Sequence, residues 1–91
     1  MRVSLLSRRP KLHSCFFCSE QIEDAAKWAH YETHLIEVTD DNGRQAFTFE
    51  CPRCGVMDQA WGGGRPNPKF NGTSAIAVHL MQSHHFNELM P

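Results

Sequence analysis

Two pairs of cysteines, each followed by a pair of histidines, constrain the fold of this chain more than any other feature of its sequence. Two, eleven and three residues separate the successive members of the first set, which is Cys15, Cys18, His30 and His34. Cysteines on a tight turn and histidines one helical turn apart can direct four side chains at one point. Because sulfur and nitrogen donors suit a tetrahedral Zn²⁺ ion, the first set predicts a zinc site.

A second set with the same order of residues follows. Two, 24 and four residues separate its members, which are Cys51, Cys54, His79 and His84. The long gap is about twice the usual one, but a loop can absorb it because the entropy of loop closure grows slowly with length. His85 is an alternative fourth ligand, since spacings of about three to five residues between the histidines are all compatible with zinc. The second set therefore predicts a second zinc site.

The same residues allow other arrangements. With 32 residues between Cys18 and Cys51, all four cysteines could share one zinc ion and leave the histidines free. The cysteines and histidines could also be ordinary core residues, and a CxxC pair can be redox-active. The βαβ context of a redox CxxC pair is missing, and each CxxC pair is followed by paired histidines. This pattern favours two zinc sites, each saturated by four protein ligands and therefore structural.

Length and composition point to one small globular domain. The chain has 91 residues, of which 41% are hydrophobic and 21% charged. A chain this short often needs a metal ion or disulfides to be stable. No run approaches the roughly 18 apolar residues that would span a membrane, and the first residues lack the apolar core of a secretion signal. We expect an intracellular protein, cytoplasmic or nuclear, where CxxC pairs bind metal more often than they form disulfides.

Charge is unevenly distributed along the chain. Four of the nine lysines and arginines precede Cys15, and eight of the ten acidic residues lie between positions 15 and 50. The sequence thus predicts a basic arm, an acidic first half and a more balanced second half. The predicted units are a basic arm over 1–13 and one compact domain over 14–91, with zinc-binding halves at 14–44 and 45–88.

Periodicity and turn-forming residues predict a helix and a hairpin in the first half. Helix formers predict a first helix over about 20–34, with Ser19 as its N-cap. Asn42 and Gly43 lie between two runs of alternating hydrophobic and polar residues, which indicates a β-hairpin.

A loop and a last helix are expected in the second half. Glycines and prolines predict a loop over 61–72, and Thr73 is expected to cap a helix that ends near Leu89. The predicted fold class is a small, zinc-stabilised α+β fold in which two ββα halves are joined by a β-hairpin.

The two sets resemble the ligands of C2H2 zinc fingers, in a divergent tandem whose second finger has a long loop. The resemblance covers most of residues 15–85 and rests on the ligand spacing. It implies a small fold held by zinc and used for binding. The chain departs from the family in two respects: an acidic hairpin replaces the usual TGEKP-like linker, and the usual aromatic and leucine core positions match poorly.

Nucleic-acid binding is one functional expectation. A finger that reads DNA presents basic or amide side chains at the start of its helix. Here the first helix is predicted to begin with Glu20, Glu23 and Asp24, which phosphate would repel, and the sequence pI is only about 6.6. A nucleic-acid-binding transcription regulator would have to use the basic arm.

Protein binding is the favoured expectation, because the predicted loop carries Trp61 and Phe70 and aromatic residues are enriched at binding hot spots. Both rings could instead cover the second set. We predict a small interaction module, a regulatory adaptor or inhibitor of cellular or phage origin. It is expected to bind no membrane and no small-molecule substrate, and not to be an enzyme. An HNH-like metal nuclease is a further alternative, and it would need a single four-cysteine zinc site with the histidines free.

Overall fold

The first half folds as a short hairpin followed by a helix, in a computed structural model that describes residues 12–89. The cysteine turn of the first set joins the two strands, and a 3₁₀ turn joins the hairpin to the helix. In chain order the elements are β1 (Leu12–Ser14), β2 (Gln21–Glu23), the 3₁₀ turn (Asp24–Ala26) and α1 (Lys27–Glu32). The predicted basic arm covers residues 1–13, and residues 1–11 of it lie outside the part of the chain that the structure describes.

The prediction of a first helix over 20–34 is wrong in its first half. Residues Gln21–Glu23 form β2, in which Ile22 pairs with His13 of β1 and both side chains are buried. Alternation of buried and exposed residues on both strands outweighs the local preference for helix. Ser19 is not an N-cap, because its φ of 66° is left-handed whereas an N-cap is extended.

The central hairpin is confirmed. Its strands are β3 (Ile36–Thr39) and β4 (Gln45–Thr48), which pair antiparallel. The Asp40 N–H donates to the carbonyl of Arg44 over 2.9 Å, and Gly43 adopts a φ of 78°. Oδ1 of Asp40 accepts the N–H groups of Asn42 and Arg44, each over 2.9 Å. The turn is therefore a three-residue connection with glycine at its left-handed position.

The second half repeats the order of strand, cysteine turn, strand and helix. A connecting segment crosses β4 between the second cysteine turn and the helix: the N–H of Phe47 donates to the carbonyl of Trp61, and the reverse bond also forms, both over 2.8 Å. The elements are β5 (Glu50–Cys51), β6 (Gly55–Val56) and α2 (Pro68–His84).

Helix α2 starts earlier and ends earlier than predicted. Its N-cap is Asn67, whose side chain accepts the N–H of Phe70 over 3.3 Å, and Pro68 occupies the first helical position. Thr73 lies inside the helix, where its hydroxyl donates to the carbonyl of Lys69 over 2.9 Å. The helix ends at His84 because the next residue, His85, has a left-handed φ of 54°.

Gly72 lets α2 cross the central hairpin at close range. A Cβ atom at this position would lie 2.9 Å from Cδ2 of Leu35 and 3.1 Å from Cβ of Phe47. Only glycine allows this approach without displacing its neighbours. The close crossing sets the position of the helix that carries both histidines of the second set.

The architecture is a small α+β fold with two helices and three two-stranded antiparallel sheets among residues 12–89. One hydrophobic core joins the two halves. Within the described part of the chain, neither helix has the length and hydrophobicity that a membrane span requires. The core residues are Cys15, Ile22, Tyr31, Phe49, Ile76, Ala77, Leu80 and Leu89.

Candidate metal centres

The first cysteine turn is shaped by its own backbone. Cys15 follows β1, and its N–H donates to the carbonyl of Glu20 over 2.8 Å, while the N–H of Ser19 donates to the carbonyl of Cys15 over 3.2 Å. The N–H of Phe17 also points at Sγ of Cys15, at 3.3 Å. These bonds fold the chain back on itself and turn both cysteine sulfurs toward α1.

The four donor atoms of the first set lie together. Nε2 of His34 is 3.6 Å from Sγ of Cys15 and 3.3 Å from Nε2 of His30. Nε2 of His30 is 3.3 Å from Sγ of Cys18. His30 and His34 lie one helical turn apart at the end of α1, which places both imidazoles on the side of the cysteine turn. The structure thus brings together all four residues that the sequence predicts for this set.

The second set is assembled in the same way from more distant parts of the chain. Nε2 of His84 lies 3.2 Å from Sγ of Cys51 and 3.5 Å from Sγ of Cys54. The ligand atoms of all four members, His79 included, lie within 4.8 Å of one another. His84 rather than His85 belongs to the set, because Nε2 of His84 reaches both sulfurs whereas His85, the residue after α2, is not in the group.

Both sets fit a tetrahedral Zn²⁺ ion. With Zn–S near 2.3 Å and Zn–N near 2.0 Å, tetrahedral geometry puts a sulfur and a nitrogen about 3.5 Å apart and two nitrogens about 3.3 Å apart. The sulfur–nitrogen distances here run from 3.2 to 3.6 Å, and the nitrogen–nitrogen distance in the first set is 3.3 Å. These closest pairs have the spacing that a shared zinc ion requires, and all four donor atoms of each set lie within 4.8 Å of one another.

An unpartnered atom supports the same fit in the second set. Nε2 of His79 is buried and has no hydrogen-bond partner among residues 12–89. A buried polar atom without a partner is costly, and native proteins rarely retain one. A metal ion held between the cysteine sulfurs and His84 would satisfy this nitrogen.

Burial shifts the pKa values of two histidines and two cysteines in the sets, in opposite directions. It lowers the pKa of His34, with a further contribution from the charge of His30, and it lowers the pKa of His79, with a contribution from His84. Both imidazoles are therefore held neutral, which is the form that binds metal. Desolvation raises the pKa of Cys15 and Cys54, so their thiols must lose a proton when a cation binds.

Tyr31 supports the first cysteine turn from within the core. The N–H of Phe16 donates to its hydroxyl oxygen over 2.9 Å, and the ring is almost fully buried. Burial, followed by the nearby thiol of Cys15, raises the pKa of Tyr31 to about 12. The hydroxyl therefore stays neutral and accepts this hydrogen bond, which holds the turn between the two cysteines in place.

The two sets share aromatic neighbours that the ligand spacing does not reveal. Phe16, from the first cysteine turn, stacks on the ring of His84 with centroids 5.1 Å apart. The guanidinium of Arg53, from the second cysteine turn, lies 5.5 Å from the centroid of the Phe16 ring. A residue between the cysteines of the first set therefore packs on a ligand of the second set.

A second aromatic connection runs through the core. Phe17 lies edge-on to His34 at 5.2 Å and stacks on Phe49 at 6.2 Å. Phe49 in turn contacts the ring of His79 at 5.6 Å. The only sequence signal for these contacts was the pair of consecutive phenylalanines between Cys15 and Cys18.

The two aromatics of the predicted loop take different positions. Trp61 stacks on Phe49 with centroids 5.4 Å apart and is partly buried, so it covers the core near the second set. Phe70 belongs to α2, is 54% exposed and contacts Trp28 at 5.5 Å. Only Phe70 is placed as an exposed contact residue would be.

A buried histidine outside both sets was missed from the sequence. Nε2 of His13 lies 2.6 Å from Oδ1 of Asp24, and its Nδ1 lies 2.9 Å from Oε1 of Glu88. Lys27 donates to Oδ1 of Asp24 over 3.1 Å and to the carbonyl of Glu88 over 2.7 Å. This cluster connects β1 to the segment that follows α2, and sequence spacing alone gave no signal for it.

The single four-cysteine site is not what the structure assembles. All four cysteines are free, and each pair lies with its own two histidines in a separate group. The structure therefore supports the paired arrangement of two thiols with two imidazoles.

Comparison with known proteins finds no protein-family model, no curated protein and no solved structure that matches this chain.

Proposed function

We propose that the chain is a small zinc-binding interaction module, in which two structural zinc ions hold the fold and the surface binds another protein. The observation that carries the proposal is the donor geometry. Two separate groups each place two cysteine sulfurs and two imidazole nitrogens within 4.8 Å of one another, and their closest pairs have the spacing of ligands around a tetrahedral zinc ion. The first set would hold one ion and the second set the other.

A structural role follows from the number of ligands. Two thiolates and two imidazoles fill a tetrahedral coordination shell and leave no position for water or substrate. Binding at such sites contributes about 10–16 kcal/mol of apparent free energy in zinc-finger peptides. The net stability of an ordinary domain is about 5–15 kcal/mol. Zinc at both sets would therefore account for most of the stability of so small a core.

The order of secondary-structure elements in each half resembles that of a C2H2 finger, which supports this proposal. Each half runs from strand to cysteine turn, strand and helix, with one histidine inside the helix and the other at its end or shortly after it. The two halves share one hydrophobic core and are not separate units joined by a linker. That packing favours a single rigid module, of the kind that offers one continuous surface to a partner protein.

The histidines also support a non-catalytic role. A nuclease of the HNH type would need histidines that are free to bind a second metal or to act as a base. Four of the six histidines lie in the two sets, and His13 is held between Asp24 and Glu88. The nucleic-acid alternative depends on the basic arm, which lies mostly outside the described residues, and it stays a prediction.

The test is the metal content of the purified full-length protein together with its response to chelation. We expect native mass spectrometry to show two zinc ions per chain, and a strong chelator to abolish the folded circular dichroism spectrum, with recovery when Zn²⁺ is added. Mg²⁺ is the control and should restore nothing, because hard cations avoid thiolate ligands. A metal-free chain that keeps its fold would overturn the proposal.

A further inference from the structure

Glu20 lies at the end of the first cysteine turn and not, as predicted, at the start of a helix. Its carbonyl accepts the N–H of Cys15 over 2.8 Å, and β2 begins at the next residue, Gln21. These contacts fix the backbone position from which its side chain extends. Its carboxylate reaches the ring of His30, where Oε1 lies 3.8 Å from Nδ1.

The two nitrogens of the His30 ring have different neighbours. Nε2 lies 3.3 Å from Sγ of Cys18 and 3.3 Å from Nε2 of His34, so it is the nitrogen that belongs to the donor group. A neutral imidazole carries a proton on one nitrogen and a lone pair on the other. For Nε2 to bind a metal ion, the proton must be on Nδ1, the nitrogen that Glu20 approaches.

A carboxylate is a favourable acceptor for this proton. Metal-binding histidines usually donate their second N–H to a carboxylate, a carbonyl or water, and that contact fixes the tautomer and the orientation of the ring. The separation of 3.8 Å is about 1 Å longer than a hydrogen bond. Because the Glu20 side chain is 71% exposed, it can rotate by this amount without displacing packed residues. An anionic acceptor then binds the N–H more strongly than water does.

The charge of Glu20 acts in the same direction as this hydrogen bond. Burial, and then the charge of His30, lower the pKa of His34, and the charge of Glu20 opposes them. The negative charge therefore reaches the second imidazole of the set as well as the first. A negative charge beside the ligands favours a bound cation.

The second set lacks such a carboxylate within residues 12–89. In this part of the chain, His34, His79 and His84 have no carboxylate oxygen within 4.0 Å of a ring nitrogen, whereas His30 has Glu20. Two sets with the same four donors therefore differ in the contacts around their ligands.

We propose that Glu20 is a positioning residue of the first set, which accepts the Nδ1–H of His30 and holds this imidazole with Nε2 toward the zinc ion. The contact gives the first set tighter zinc binding than its four donors alone provide. This inference rests on the proposed function, because it concerns one of the two zinc sites of the same module.

The test measures zinc binding by the full chain with isotope-labelled histidines. Titration with a chromophoric chelator, followed by nuclear magnetic resonance of the imidazoles, reports on each set through its own histidines. Glu20→Ala should weaken the first set about threefold to tenfold, since contacts around metal ligands are typically worth about tenfold or more and water screens an exposed carboxylate. The second set should change less than about twofold.

Glu23→Ala is the matched control. It removes the same side chain from an exposed position of β2, where the carboxylate makes no capping hydrogen bond and lies beyond 4.0 Å of the histidine nitrogens described. Zinc binding at the first set should change less than about twofold in this variant. Equal weakening of the first set by Glu20→Ala and Glu23→Ala would overturn the proposal, because it would reduce the effect to net charge.

The proton on Nδ1 of His30 gives a second measurement, which a general loss of stability would not change in the same way. In the zinc-loaded protein, its exchange with water should be at least about threefold faster in Glu20→Ala than in the unaltered chain, because a hydrogen bond is lost. Glu20→Gln keeps an acceptor oxygen and should keep this exchange slow. Unchanged exchange in Glu20→Ala would overturn the proposal.

Failure of this inference can be distinguished from failure of the proposed function. Two zinc ions bound with equal affinity by the unaltered chain and by Glu20→Ala would reject the role of Glu20 and leave the proposed function intact. An unaltered chain that binds no zinc would reject the proposed function itself.

Discussion

The two Cys/His sets use the same donors but are built over different lengths of chain. The first set lies within residues 15–34, with His30 in a six-residue helix and His34 in the turn that follows it. The second set spans residues 51–84, and its histidines lie on a 17-residue helix that starts far from the cysteine turn. The longer gap costs only about 0.6 kcal/mol per doubling in loop closure, so length alone does not separate the two sets.

Their packing separates them more clearly. The ring neighbours of His34 are Phe17, Tyr31 and His30, all from the first half. His84, in contrast, is stacked by Phe16, which comes from the cysteine turn of the first set. The ligands of the first set thus have ring neighbours from their own half, whereas a ligand of the second set is stacked by a residue of the first. We expect the first set to bind zinc more tightly and the two sets to be coupled, with the same coupling free energy in both directions.

Loss of one ligand should give the largest effect, and it tests whether the two sets are coupled and unequal in affinity. Cys18→Ser removes a ligand of the first set and should cost several kcal/mol, as loss of a structural metal ligand does. Because Phe16 is then no longer held in place, we expect native mass spectrometry to show loss of zinc from both sets. Cys54→Ser, the equivalent change in the second set, should leave one zinc ion bound. A Cys18→Ser chain that retains one zinc ion would show that the sets are independent.

Removal of the shared aromatic ring should give a smaller effect on the second set. Phe16→Ala loses the stack on His84 and the contact with Arg53, and each aromatic pair is worth about 0.5–1.5 kcal/mol. Competition with a chromophoric chelator should show about tenfold weaker zinc binding at the second set and little change at the first. Phe70→Ala is the control, because that ring is 54% exposed and contacts only Trp28 among the aromatic residues described. Equal weakening by both variants would contradict the assigned role of Phe16.

The residue after each cysteine turn allows a finer comparison. Ser19 and Gly55 both follow the second cysteine of their turn, and both are left-handed, with φ of 66° and 88°. The left-handed conformation costs a non-glycine residue about 1–2 kcal/mol in the folded state, and a glycine avoids that cost. A new glycine also lowers stability by about 0.5–1 kcal/mol, because it gives the unfolded chain more conformational entropy. Chemical denaturation should therefore show a gain of about 0.5 kcal/mol for Ser19→Gly and a loss of about 1 kcal/mol for Gly55→Ser. Effects of the opposite sign would show that the turns are not equivalent.

The cluster around His13 can be weakened without touching either set. The hydrogen bond with His13, and then that with Lys27, lower the pKa of Asp24 below its ordinary value of 3.8. Its contribution to stability is therefore present above that value and is lost as the pH falls through the folded-state pKa. We expect this effect to be the smallest, because the carboxylate is about half exposed and water screens it.

Asp24→Asn should accordingly make the free energy of unfolding less dependent on pH below about pH 4, as measured by denaturation across a pH series. Glu23→Gln, at the neighbouring exposed position, is the control and should leave the pH dependence as it is. An unchanged slope in Asp24→Asn would show that the hydrogen bond between Asp24 and His13 adds nothing to the stability of the fold.

The parts of this fold that depend on local chemistry were predictable from the sequence. Ligand spacing identified the eight residues that the structure groups, and Asn42-Gly43 identified the central hairpin. The sequence also contains a signal for the start of α2, because Asn67 is a favoured N-cap and Pro68 a favoured first helical residue. The surrounding glycines and prolines instead led to the prediction of a loop.

Other parts depend on contacts between distant residues and could not be predicted. Gln21–Glu23 has a sequence suited to helix and becomes a strand only because β1 lies beside it. The spacing of the two cysteines does not say which of Phe16 and Phe17 crosses to the other half. The choice depends on where α2 lies, and the close approach at Gly72 sets that position.

X-ray absorption at the zinc edge of the purified full-length protein tests the central claim most directly, because it counts sulfur and nitrogen ligands. We expect two zinc ions per chain, with an average shell of two sulfurs at about 2.3 Å and two nitrogens at about 2.0 Å. A single zinc ion with four sulfur ligands would contradict it, since all four cysteines would then share one site and the histidines would be free.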